Sequence, residues 1–171
     1  MFKRFSLIAL AVTIVLSGAL AVVAQDAQPV VVGPITQAIL DRGEAICGVN
    51  TSLAGFATLN DAGEYEGFDV EFCRAVAAAI LGDANAVTYR PLQAGERQAA
   101  IQSGEIDLMS RNTTMTLSRE AVWGATFGPV TFYDGQGLMV RTETGITEIE
   151  GLEGASICVQ SGTTTELNLA D

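Results

Sequence analysis

The chain has 171 residues, with 9 Lys or Arg against 20 Asp or Glu, a net charge of −11 and no histidine. An acidic surface repels phosphate backbones, which excludes nucleic acid as a principal partner. Without His there is no Ser-His-Asp or Cys-His catalysis and no His-bearing metal site, and with Lys3 as the sole lysine there is no Schiff base or P-loop lysine after it.

Lys3 and Arg4 give the N-terminus a positive start, and Phe5 to Val23 is almost continuously apolar. Val22-Val23-Ala24 sets small or slender side chains where signal peptidase cuts, so residues 1–24 read as a secretory signal cleaved after Ala24. An uncleaved anchor is the other reading of about 20 apolar residues. Ser17, Gly18 and the small-residue pattern favour removal. Leu16-Ser17-Gly18-Ala19 is similar to a lipoprotein box, but Ala19 occupies the position of the lipidated cysteine. The mature chain is thus expected to be exported and soluble, with seven arginines against twenty acids and a net charge of −13.

Residues 25–34 read as an extended, proline-containing leader. Ile35 to Arg42 is a short helical pattern stopped by Gly43, and Ala45 to Val49 a buried strand. Asn50 to Glu66 is a polar loop, with a turn at Asp61-Ala62-Gly63 and short strands around Phe56 and Tyr65. Asp69 to Leu81 is the clearest helix. Asp69 is its expected N-cap, Gly82 its C′ residue, and Val70, Cys73, Val76, Ala77, Ile80 and Leu81 form its apolar face. Ala86 to Arg90 reads as a strand, Gly95 to Ser103 as a helix closed by Gly104, and Ile106 to Ser110 as a third strand. This alternation predicts an α/β fold with a parallel sheet covered by helices. A helix over Leu117–Val122 capped by Thr116 follows, then strands at Val130–Tyr133 and Gln136–Arg141. Thr147–Leu152 is a candidate helix, Ser156–Val159 a strand, and Thr164 onward a further helix.

Ligands of open parallel sheets bind beyond the carboxyl ends of the strands. Three such ends carry polar loops: Asn50-Thr51-Ser52-Leu53, Arg111-Asn112-Thr113-Thr114, and Gln160-Ser161-Gly162-Thr163-Thr164. From Ser110 to Thr116, six of seven residues have hydrogen-bonding side chains. Hydroxyls and free N–H groups at helix starts suit a small anion such as a carboxylate, and Arg119 nearby offers a permanently charged, bidentate clamp. Taken singly, Ser161 to Thr164 is an ordinary helix cap and Arg119 a surface charge. Together they suggest an anion receptor.

Gly67-Phe68-Asp69-Val70-Glu71-Phe72, followed by Val76-Ala77 and Ile80, resembles the signature of the family 3 extracellular solute-binding proteins. These are the amino-acid receptors of ABC importers. Cys47 to Thr51, Ser110 to Thr114, Tyr133 to Gly137 and Gln160 to Ala170 are similar to the general L-amino-acid-binding branch of that family. The resemblance implies a periplasmic-binding-protein-like fold of type II. Its two lobes close on an amino acid, its location is periplasmic, its partners are ABC permease subunits, and no cofactor is involved. It also implies roles for individual residues. Arg119 is implied to clamp the α-carboxylate with Thr114 beside it, and the Asn112 carbonyl to receive the α-ammonium. Thr163 and Thr164 complete the carboxylate cradle from the second lobe, and Asn50 touches the ligand side chain. Leu53 stands where many relatives place a stacking aromatic, and Arg111 where a small residue is common, either pointing away or lining the pocket.

Set against that family, residues 35–140 correspond to most of lobe one and 141–171 to the hinge and the truncated start of lobe two. Relatives are roughly twice as long, so the chain is expected to be a fragment that by itself binds ligand weakly or not at all. Micromolar binding by calorimetry on these 171 residues would contradict that expectation. Cys47 on the first strand and Cys73 on the following helix are placed for a disulfide in an oxidising compartment, or else are two buried thiols. Cys158 is the odd one. A catalytic reading is available on the same fold, since exported cyclohexadienyl or arogenate dehydratases resemble these receptors. A ligand-sensing domain of a membrane receptor is another. Neither nucleophile nor general acid is evident, so binding rather than catalysis is expected.

Overall fold

A computed structural model of the chain describes residues 31–171, so the signal segment 1–24 and most of the leader lie outside the described residues. Pro34, read from composition as leader, opens helix α1 (Pro34–Arg42) at the position where its missing N–H costs nothing. Gly43 then ends it, with φ at 79° and its N–H on the Ile39 carbonyl at 2.9 Å.

Strand β1 (Ala45–Asn50) is the centre of the fold. β4 (Val87–Leu92) lies parallel to it on one side and β5 (Leu108–Met109) parallel on the other, giving the order β4-β1-β5. Cys47 is opposite Tyr89 and Leu108 in that register. A strand with neighbours on both edges and helices on both faces has no wet side, which is why Ala45, Cys47 and Val49 are fully buried. One face packs on α1 through Ile39 and on helix α2 (Phe68–Leu81) through Val70, Cys73 and Ala77. Leu92, Ala100 and Ile106 pack together on the opposite side, where a Cβ on Gly48 would touch Ile106 Cδ1 and Leu92 Cδ1 at about 3 Å. Cys47 and Cys73 are joined by a disulfide, with their Cα atoms 6.0 Å apart.

Between β1 and α2 a small antiparallel pair forms from β2 (Thr58–Leu59) and β3 (Tyr65–Glu66). Its turn is organised by Asn60 Oδ1, which accepts the N–H groups of Ala62 (2.9 Å) and Glu64 (3.0 Å). Asp69 is not the N-cap of α2. Gly67 holds that position at φ 124°, and the carbonyls of Gly55 and Phe56 accept the N–H groups of Phe68 and Asp69 at 3.0 Å each. Backbone acceptors thus do the work that a capping side chain would otherwise do. A Cβ at Gly67 would drive into the Phe56 carbonyl, so only glycine lets the hairpin approach this closely. Asp69 is carried into the first turn and buried, 3% exposed. Gly82 closes α2 as expected, at φ 75° with its N–H on Ala78 O.

The segment predicted as one helix over Gly95–Ser103 begins as a 3₁₀ turn (Ala94–Glu96) and becomes helix α3 only at Arg97–Gln102. Glu96 Oε2 accepts the Gln93 N–H at 2.7 Å, tying the start of that turn. Helix α4 (Leu117–Trp123) is capped by Thr116, whose Oγ1 accepts the Arg119 N–H at 3.2 Å. Helix α5 (Thr164–Ala170) has Thr163 as its N-cap, with Oγ1 accepting the Glu166 N–H at 3.1 Å.

The strands expected at Val130–Tyr133, Gln136–Arg141 and Ser156–Val159 do not form, and Thr147–Leu152 is a 3₁₀ turn over Ile149–Leu152 rather than a helix. Alternating apolar side chains favour a strand only where a neighbouring backbone supplies the ladder, and these segments pair with none among the described residues. Tyr133 (85% exposed) and Met139 (98%) accordingly stand in solvent. No helix among the described residues is long and apolar enough to cross a membrane.

Candidate functional site

The three parallel strands end at one edge of the sheet, and their following loops meet there. Asn50 closes β1. Its Oδ1 accepts the Ser52 N–H at 3.1 Å, bending the chain, and its Nδ2 donates to Asn112 Oδ1 at 2.9 Å. The loops after β1 and β5 are therefore stitched together by two asparagines 62 residues apart. Leu53 lies one turn further on, paired through its backbone to Ala57 (2.8 and 2.9 Å) and outside this hydrogen-bonded group.

Arg119 is carried by the first turn of α4 and is only 8% exposed. Its Nη1 donates to the Thr114 carbonyl at 2.7 Å, and the guanidinium carbon stands 5.1 Å from the Trp123 ring centroid. Thr114 Oγ1 and Thr164 Oγ1 are 3.1 Å apart, so the loop after β5 and the start of α5 touch through hydroxyls. Thr163 sits beside them but turns its hydroxyl to its own backbone, donating to Gln160 O at 2.7 Å. Of the residues singled out from sequence, Asn50 and Asn112 form one contact group and Thr114, Thr164 and Arg119 another.

Arg111 points inward, a question the sequence left open. Its Nη1 donates to the Leu92 carbonyl and its Nη2 to Asn112 Oδ1 at 2.9 Å, so it braces the asparagine pair from behind. Its Nε is buried without a partner, as is Oδ2 of Asp69. Sequence reasoning missed Arg97 altogether. That side chain is 2% exposed and donates to four acceptors: Ala94 O (2.8 Å), Thr113 Oγ1 (3.2 Å), Asn112 O (3.5 Å) and Gly162 O (2.8 Å). Its place just beyond the end of β4 was the available signal.

The three arginines gather positive charge in a chain that is otherwise acidic. Desolvation lowers the pKa of each. Arg97 is brought to about 10, first by burial and then by repulsion from Arg111 and Arg119. Asp69 opposes the effect at Arg111. None of the three makes an ion pair with a carboxylate among the described residues, whereas Arg42, Arg74 and Arg90 each do. A desolvated guanidinium with no carboxylate partner among the described residues can accept an external anion.

Residues 45–169 match the model of the bacterial extracellular solute-binding proteins, family 3. The chain belongs to that family. It is 57% identical over 130 residues to the general L-amino acid-binding periplasmic protein AapJ of Rhizobium johnstonii, covering 76% of this chain and 38% of that protein. It is 52% identical over 130 residues to the glutamate/glutamine/aspartate/asparagine-binding protein BztA of Rhodobacter capsulatus, again covering 76% of the chain and 38% of the relative. Among solved structures, a periplasmic binding protein of an ABC transporter from Brucella ovis, with glutathione bound, superposes with a TM-score of 0.76 at 51% identity. That match covers 82% of this chain and 44% of the other. The chain spans about two fifths of the length of the curated relatives it matches. The fold is therefore that of the periplasmic binding proteins, present in part, and these relatives are binding proteins rather than enzymes.

Proposed function

We propose that this chain is the N-terminal part of the substrate-binding component of an amino-acid ABC importer, working in the periplasm. Residues 35–140 then supply lobe one, and 141–171 the hinge and the start of lobe two. The observation that carries the reading is the desolvated Arg119 guanidinium, unpaired with any carboxylate among the described residues, beside the touching hydroxyls of Thr114 and Thr164. The names of the relatives support the amino-acid class and the location. Export with cleavage after Ala24 is supported by Val22-Val23-Ala24.

In this reading an amino acid first meets lobe one. Arg119 takes the α-carboxylate in place of water, the Thr114 hydroxyl adds a second donor, and the Asn112 carbonyl accepts from the α-ammonium. Thr164, and Thr163 through the turn it caps, come over the same carboxylate when the lobes close, so ligand favours the closed form by its extra contacts there. Asn50 and Leu53 face the ligand side chain, and the closed form is what a membrane permease recognises. Arg119→Ala in the complete receptor removes a charge-assisted clamp. Titration calorimetry with L-glutamine should record an affinity loss of about 100-fold or more. A loss below about threefold would remove Arg119 from the carboxylate site.

A further inference from the structure

Arg97 is more enclosed than the other two arginines at this edge, and its bonds run between segments far apart in sequence. One nitrogen reaches back to Ala94 O, a second reaches the loop after β5 at Thr113 and Asn112, and the third reaches Gly162 O, 65 residues away in the loop before α5. Gly162 makes this approach feasible. Its φ is 75°, and a Cβ there would stand 3.3 Å from Gly95 Cα, so the two loops meet backbone to backbone. All four acceptors are oxygens of the protein itself, three of them carbonyls, so nothing in the contact depends on a ligand side chain. A guanidinium spreads its five N–H donors over three nitrogens in a fixed planar fork, whereas a lysine ammonium has three donors on one nitrogen and cannot span acceptors this far apart.

We propose that Arg97 is a positioning residue that latches the 160–163 loop to the strand-end loops, and so sets how long a captured ligand stays bound. The inference rests on the receptor reading above. Separating the loops strips Nη2 of its acceptor, and that loss opposes opening whatever amino acid lies within. The latch therefore slows release by a common factor for all ligands, whereas a pocket residue such as Asn50 changes them unequally.

The test is stopped-flow binding of L-glutamine and L-glutamate to the complete receptor, comparing wild type with Arg97→Lys, Gly162→Ala and the double variant. Arg97→Lys should raise the dissociation rate by about tenfold, equally for both ligands, with association rates within about twofold. Gly162→Ala, which props the same loops apart from the other side, should act in the same direction. The double variant should lose no more than the larger single change, because both remove one contact. Unchanged dissociation rates, a loss confined to association, or fully additive effects overturn the latch. Should circular dichroism show Arg97→Lys unfolded, the dissociation rate of Gly162→Ala alone decides. A wild-type receptor that binds neither amino acid overturns the receptor reading itself and takes the latch with it. Wild-type binding with an unchanged Arg97→Lys overturns only the latch.

Discussion

Asp69 illustrates how one residue's position outweighs its type. An aspartate before an apolar helix is a good capping residue, yet here the Gly55 and Phe56 carbonyls have taken that task and the carboxylate is buried. Burial raises its pKa, with Arg111 acting more weakly in the opposite direction. A carboxyl whose folded pKa lies above its unfolded value contributes full stability below the unfolded pKa and loses it as pH rises through the folded one. Asp69→Asn keeps the neutral form at every pH. Its melting temperature should therefore fall less than that of wild type as pH rises above about 4. An equal or steeper fall in the variant would mean that Arg111 compensates the buried charge. The arginines teach the complementary lesson about legibility. Arg119 drew notice in the sequence because it follows a capping threonine after a polar loop, and the structure buries it against the Thr114 carbonyl. Arg97 offered only its place after β4, because its acceptors are mostly backbone carbonyls, which leave no mark in side-chain identity.

Among the elements, those built from dense, periodic apolar residues were legible. β1 and α2 bury their own apolar residues, and β4 packs against them through the half-buried Val87 and Tyr89. The segments from Val130 to Val159 carry similar apolar alternation but form no ladder, because a strand needs a partner that its own residues do not encode. The disulfide belongs to this scale, since it ties the central strand to the helix that covers it. It closes a separation of 26 residues, for which chain entropy gives about 3.5 kcal/mol. Cys47→Ala with Cys73→Ala should lower the unfolding free energy in urea by roughly 3 kcal/mol. Added reductant should then destabilise the wild type and leave the variant unchanged. A variant as stable as the wild type would show that burial alone holds β1 against α2.

Across the described residues, burial is unevenly distributed. The sheet and its helices enclose the buried residues, from Ile39 to Ile106 apart from Arg119, while Phe132, Tyr133, Met139, Ile149 and Leu167 stand exposed further along. Local opening requires least where few apolar contacts are broken. Among the described residues, limited chymotrypsin digestion should therefore cut first between Gly128 and Val159 and last within β1, α2 and β4. Early cuts inside residues 45–109 would invert that ranking. The expectation of two lobes rests on resemblance alone, because the residues themselves announce a parallel sheet and not how it is completed.

The parallel register of β4-β1-β5 has one more consequence. All three strands deliver their loops to the same edge, while the residues that fix the register, Cys47, Val49 and Leu92 among them, lie behind it. The loops that follow β4 and β5 are thus separate from the paired residues, while Asn50 serves both, as the last residue of β1 and as the tie to Asn112. Under the receptor function proposed above, those loops can take up substitutions without disturbing how the strands align, whereas a change at Asn50 touches both.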